Sequence, residues 1–133
     1  MIMSRTASGI TWVAGACTLV VLALLLPRVA ASSSDGVREI HLVARDMTYY
    51  VDGRPESNPT LRVARGEHVR IRLTNNDPGM SHDFSIPAWK KGSGLTVHRE
   101  QAVVEFTAPR EAGETTYACT PHGEMMRGTI RVE

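Results

Sequence analysis

The sequence has little cysteine: two residues in 133, Cys17 and Cys119. Cys17 sits in an apolar N-terminal stretch and follows Ala14-Gly15-Ala16, a poor match to a lipidation site. Once that stretch is set aside, Cys119 is alone. The chain also lacks a charge imbalance, with 15 Lys+Arg against 14 Asp+Glu and a formal net charge of +1. Arg5 and Arg28 belong to the N-terminal stretch, so the remainder is close to balanced. Nucleic acid is therefore not an expected partner, because it would require a concentrated basic face. Internal repeats and low-complexity tracts are missing, and no convincing amphipathic helix follows residue 36, with a helix in 88–100 as the alternative there. The second absence argues against a helical domain.

Two parts stand out in what is present. Residues 1–31 read as a targeting segment. Arg5 lies in a short polar region, Ile10–Leu26 is almost wholly apolar, and Val29, Ala30 and Ala31 supply the small residues of a cleavage site. The expectation is a signal peptide, with a membrane anchor through residues 10–26 as the alternative. Residues 32–36 form a polar linker, and residues 37–133 are long enough for one sandwich-sized domain. Export makes Cys119 informative, since an unpaired thiol outside the cytoplasm needs protection. A metal bond that holds it as a buried thiolate would provide it.

The domain reads as short strands punctuated by turn residues, the pattern of an all-β sandwich or barrel. Strands are expected at 37–44, 47–51, 61–64, 69–74, 82–86, 101–107, 115–119 and 128–132, with 89–95 as a loop. The clearest is 69–74, where Val69, Ile71 and Leu73 alternate with Arg70, Arg72 and Thr74. It runs into Asn75-Asn76-Asp77-Pro78-Gly79, a dense turn signal.

Cys119, His122, Met125 and Met126 fall in one short stretch, YACTPHGEMMRGTIRV, where Pro121 and Gly123 favour a tight turn between two strands. His82 follows the earlier turn and could reach the same end of the sandwich. Two imidazoles, one thiolate and a weak thioether form a set of mixed softness. A trigonal His₂Cys site with a distant methionine is the blue-copper arrangement.

These residues resemble the cupredoxin family of plastocyanin, pseudoazurin and amicyanin. Leu61-x-Val63-x-x-Gly66-Glu67-x-Val69-x-Ile71 resembles a strand pattern of that family. Asn75-Asn76 before Met80-Ser81-His82 resembles the turn carrying its first copper histidine. Cys119-Thr120-Pro121-His122 with Met126-Arg127-Gly128 resembles the amicyanin loop. The resemblance implies a Greek-key β-sandwich that binds one copper ion and passes single electrons. His82, Cys119 and His122 are then the metal ligands. Met126 is favoured as the fourth by its Met-x-Gly context, while Met125 stays open on its spacing from His122. The resemblance also implies that Asp83 stands where relatives usually carry an asparagine that braces the cysteine loop. Pro121 lacks an N–H to donate to the Cys119 sulfur. Both features would lower the reduction potential.

Other residues have plainer readings. His41, His68 and His98 are expected to be solvated. Met47 and Met80 are packing residues, with Met80 near the mouth of the site, and Phe84, Trp89 and Phe106 are core aromatics. Arg62, Arg65, Arg70 and Arg72 read as a solvated strand face, with docking of an acidic partner as the alternative there and at Lys90-Lys91. Catalysis is not expected. There is no His-x-His pair for a catalytic copper, no second cysteine near Cys119 for a dinuclear centre, and a zinc hydrolase would have no use for the methionine. The expected protein is a monomer in the periplasm or on the outer face of the cytoplasmic membrane. It would take no small-molecule substrate and would meet redox proteins near His122. Copper delivery without a relay role is the competing function.

Overall fold

The computed structural model describes residues 36–133. The signal or anchor expected over residues 1–31, and the linker before Gly36, lie outside the described residues. Among those described, no helix is long and apolar enough to cross a membrane.

Nine strands follow one another: β1 (Arg38–Arg45), β2 (Thr48–Val51), β3 (Leu61–Val63), β4 (His68–Asn75), β5 (Ser85–Ile86), β6 (Lys91–Gly92), β7 (Gln101–Thr107), β8 (Gly113–Ala118) and β9 (Arg127–Val132). They form a four-stranded sheet in the order β2-β1-β4-β7 and a five-stranded sheet in the order β3-β9-β8-β5-β6. The β1–β4 and β3–β9 pairs are parallel, and the others are antiparallel. The all-β expectation therefore holds.

Alternation of side chains explains the layering. On β4, Val69, Ile71 and Leu73 are buried; on β1, Ile40, Leu42 and Ala44 are. From the other sheet, Leu61, Val63, Tyr117, Ile130 and Val132 join the same buried cluster. Each large apolar side chain so buried stabilises the fold by roughly 1.5–3 kcal/mol. The wet faces of β1, β4 and β7 are stitched by charge. Glu39 bonds Arg72 at 3.0 Å and approaches Arg70 at 3.5 Å, and Arg70 bonds Glu105 at 2.6 Å. Arg62 pairs with Glu133 at 2.8 Å. Three of the four arginines read as a solvated face are thus engaged by carboxylates, on neighbouring strands for Arg70 and Arg72 and at the chain end for Arg62.

The structure corrects the region around residues 82–95. A strand over 82–86 was expected, yet only Ser85–Ile86 pairs as one, and His82 makes an isolated bridge to Thr96. Between them, the Asp83 carbonyl accepts from the Tyr49 hydroxyl and the Phe84 N–H donates to Ser93 Oγ, which removes both groups from a regular ladder. The expected loop over 89–95 holds the end of a short 3-10 turn, Pro87–Trp89, and the strand β6. Pro87 presets φ for that turn, and left-handed Lys90 (φ 52°) ends it.

Candidate metal centre

Two loops at one end of the sandwich build the site. The first leaves β4 at Asn75, whose side chain folds it. Asn75 Nδ2 donates to the carbonyls of Met80 and Thr96, each at 2.8 Å, and its Oδ1 accepts from the Asp77 N–H at 2.9 Å. These bonds satisfy a fully buried amide and bring the chain round to His82. The backbone of His82 then exchanges two bonds with Thr96, at 3.0 and 2.8 Å. The result is an imidazole with no solvent exposure.

The second loop joins β8 to β9. The Cys119 N–H donates to the Met126 carbonyl at 2.9 Å and closes it. Inside, the Met125 and Met126 N–H groups both donate to the His122 carbonyl, at 3.0 and 2.9 Å, and the Arg127 guanidinium donates to the Gly123 carbonyl at 2.6 Å. Asn58 ties the loop from outside: its Nδ2 donates to the Met125 carbonyl at 2.8 Å while its Oδ1 accepts from the Tyr49 N–H. Gly128 leaves room for Tyr117, because a Cβ there would lie under 3.0 Å from the Tyr117 hydroxyl and ring edge. Tyr117 is held in place by its hydroxyl, which donates to the Pro59 carbonyl at 2.6 Å.

The two loops meet at Cys119. Its Sγ lies 3.6 Å from His82 Nδ1 and 3.6 Å from His122 Nδ1. The imidazole rings are 5.0 Å apart, edge to face. One ligand atom from each of the three residues falls within 4.8 Å of the others, the one such convergence of His, Cys, Asp or Glu among the described residues. Burial separates the two methionines. Met126 is fully buried in the core with Cys119, whereas Met125 is 55% exposed. A buried thiol, two imidazoles and an adjoining buried thioether fit a soft-to-borderline ion such as copper.

Electrostatics at the site is divided. Burial pushes the Cys119 thiol above its ordinary value, opposed by the backbone N–H groups of Asp83 and His122, which favour the thiolate. Those amides supply the polar support that Pro121 cannot. Asp83 braces the cysteine loop, as the resemblance implied, with its two oxygens accepting from the Thr120 N–H and hydroxyl, both at 2.6 Å. The Tyr49 hydroxyl donates to the Asp83 carbonyl, and burial, with Cys119 close by, keeps this phenol protonated far above its usual range.

The sequence did not single out Asp77. Its Oδ2 lies 2.9 Å from His82 Nε2, and it also accepts from the backbone of Asp46 and Met47. Burial pushes its carboxyl up, but these donors outweigh that and hold it below its ordinary value. Away from the site, His41 is exposed beside Glu39, and exposed His68 bonds Thr107. His98 departs from its solvated reading: it is half-buried, with Nδ1 unpartnered. Met80 is exposed, Phe84 and Phe106 are buried, and half-buried Trp89 packs 5.2 Å from Phe106.

Residues 57–133 match the family model for copper binding proteins of the plastocyanin/azurin family. Among solved structures, the chain is similar to auracyanin A, a "blue" copper protein of the green thermophilic photosynthetic bacterium Chloroflexus aurantiacus. That match has 21% identity and a TM-score of 0.59, covering 74% of this chain and all of the other. Auracyanin B matches at 16% identity and TM-score 0.57, over 72% of this chain and 88% of its own. Reduced rusticyanin matches at 22% identity and TM-score 0.53, over 74% and 81%. At these identities the likenesses establish the fold. No curated protein sequence matches the chain significantly.

Proposed function

Because the chain belongs to the plastocyanin/azurin family of copper-binding proteins, we propose that it is a one-electron carrier whose single copper is held by His82, Cys119, His122 and Met126. The cofactor, one copper ion, follows from the family and from the fit of the donor set. The observation that carries the reading is the convergence of three donor atoms, from two separated loops, to within 4.8 Å.

When bound, the ion supplies exchange of one electron between Cu(I) and Cu(II). The protein's part is to hold the donors still. Cys119 offers the thiolate and Met126 a thioether, both favouring Cu(I), and the two imidazoles accept Cu(II) as well. Backbone bonds across the Cys119–Met126 loop and the side-chain bonds of Asn75 restrain the frame in either state. His82 and Cys119 are buried, whereas His122 is partly exposed. His122 is therefore the side chain through which a docked redox protein would communicate. Exposed Pro78, Gly79, Met80 and Pro121 supply small and apolar surface in the two loops. The site calls for no bond breaking and no small-molecule substrate. An exported protein, in the periplasm or on the outer face of the cytoplasmic membrane, accords with the apolar segment read in residues 10–26.

The test is to add Cu(II) to the purified protein and record visible and EPR spectra, with Cys119→Ser alongside. A carrier of electrons shows intense absorption near about 600 nm from the thiolate–Cu(II) pair, retains its copper through reduction and reoxidation, and loses the band in the serine variant. Little absorption together with ready release of Cu(I) to a chelator would move the function to copper delivery.

A further inference from the structure

The β1–β2 hairpin lies outside both loops that bear the proposed ligands, yet it is wired to one of them. Its two-residue turn, Asp46–Met47, has positive φ at both positions, 52° and 56°. This is the form that matches the twist of paired strands. The turn presents two successive backbone N–H groups, and both donate to one carboxylate: Asp46 N–H to Asp77 Oδ1 at 2.5 Å, and Met47 N–H to Asp77 Oδ2 at 2.9 Å. The Asp77 N–H is itself taken by Asn75 Oδ1 at 2.9 Å, so the residue is fixed from both ends. The remaining contact of its side chain is Oδ2 to His82 Nε2, at 2.9 Å and buried.

A carboxylate only accepts, so the nitrogen facing it must carry the proton. That leaves His82 Nδ1, the atom 3.6 Å from the Cys119 sulfur, as the ring's free lone pair. We propose that Asp77 is a positioning residue of the metal centre: clamped by the Asp46–Met47 turn, it fixes His82 as the Nε2–H tautomer and sets a negative charge one imidazole away from the ion. Carboxylate–histidine–metal relays of this kind orient the ring and raise its basicity, and their loss costs about 10–100-fold in metal affinity. The inference rests on the copper assignment above for its effect on the ion, but the tautomer can be read without any metal.

The experiment uses the full chain in three forms: wild type, Asp77→Ala and Asp77→Asn. In metal-free wild type, ¹⁵N-correlated NMR of the His82 ring is expected to show the proton on Nε2; a proton on Nδ1 overturns the proposal. Asp77→Ala is expected to mix the tautomers and to weaken Cu(I) binding by about 10–100-fold in chelator competition. An unchanged ring and unchanged affinity overturn it. In Asp77→Asn, the amide oxygen can still accept from His82 once the bond to Asp46 is given up. Affinity should therefore stay within a fewfold of wild type while the reduction potential rises. A potential equal to that of wild type overturns the charge role. If the alanine variant does not fold, the wild-type tautomer and the asparagine potential still decide. Failure of the copper assignment would look different: wild type would give no cysteine-dependent blue band, whatever the His82 tautomer.

Discussion

The two halves of the site are built in opposite ways. The His82 half is held by side chains drawn from across the fold: Asn75 folds the turn, Asp77 links the ring to a separate hairpin, and solvent is shut out. The Cys119–Met126 half adds a backbone that closes on itself through the Cys119, His122 and Met126 bonds, with Asn58 and Asp83 bracing it from outside, and it leaves His122 partly exposed. On the proposed function the difference separates two tasks. Buried His82 would be an anchor, and partly exposed His122 the contact point for a partner. A carrier needs both, a frame that does not rearrange and an edge a partner can reach.

Removing each imidazole in turn should produce the largest contrast. His122→Gly is expected to abolish the blue band, and imidazole added to the solution should restore it, because the vacated space opens to solvent. His82→Gly should lose the band without rescue, since that ring has no exposure. Equal rescue of both variants, read by visible spectroscopy, would erase the distinction.

Next in size is the steric support of the backbone-built half. Gly128→Ala puts a methyl against the Tyr117 ring, and overpacking of this kind costs about 1–3 kcal/mol. Urea denaturation of the metal-free protein should show the loss. An unchanged midpoint would mean that Tyr117 can move aside freely.

Asp83 touches both halves, following His82 in sequence and bonding Thr120 in space. Asp83→Asn removes a buried charge that favours Cu(II) and leaves one oxygen where two accepted bonds. The midpoint potential is expected to rise in a voltammetric titration. No shift would remove Asp83 from the account of the potential.

The methionines separate the loop's interior from its surface. Met126→Leu should alter the potential and EPR parameters, and Met125→Leu should leave both near wild type, as 0% against 55% exposure implies. The reverse pattern would make Met125 the axial ligand.

The smallest effect lies away from both halves. The hydrogen bond from Arg72, then that from His41, lowers Glu39 from 4.5 to about 2. The sign follows from linkage. With a depressed folded value, its stabilisation is complete above about pH 4.5 and is lost as the pH falls toward 2. Glu39→Gln should flatten the acid limb of the stability curve in that window and leave the copper spectrum unchanged. A spectral change would mean that the sheet surface and the site are coupled.

The same division explains what was legible in the sequence. Cys119, His122 and Met126 lie close together between two strands, so their convergence shows in spacing alone. The alternation of Val69, Ile71 and Leu73 likewise exposes β4. Asp77 was hidden because Asp in an Asn-Asn-Asp-Pro-Gly run reads as a turn former, and its partners lie some thirty residues earlier at Asp46 and Met47. The His82–Ile86 segment was misread as a strand because side chains, the Tyr49 hydroxyl on the Asp83 carbonyl and Ser93 Oγ on the Phe84 N–H, replace ladder bonds there. The ion pairs of the solvated arginine face were hidden for a related reason, since Glu39 and Glu105 reach it only through cross-strand register.

The most direct test of the central claim is X-ray absorption at the copper edge on the loaded full chain. The account predicts one short sulfur scatterer and two imidazole nitrogens, with the sulfur signal absent in Cys119→Ser. A first shell of nitrogen and oxygen alone, unchanged by that substitution, would contradict it.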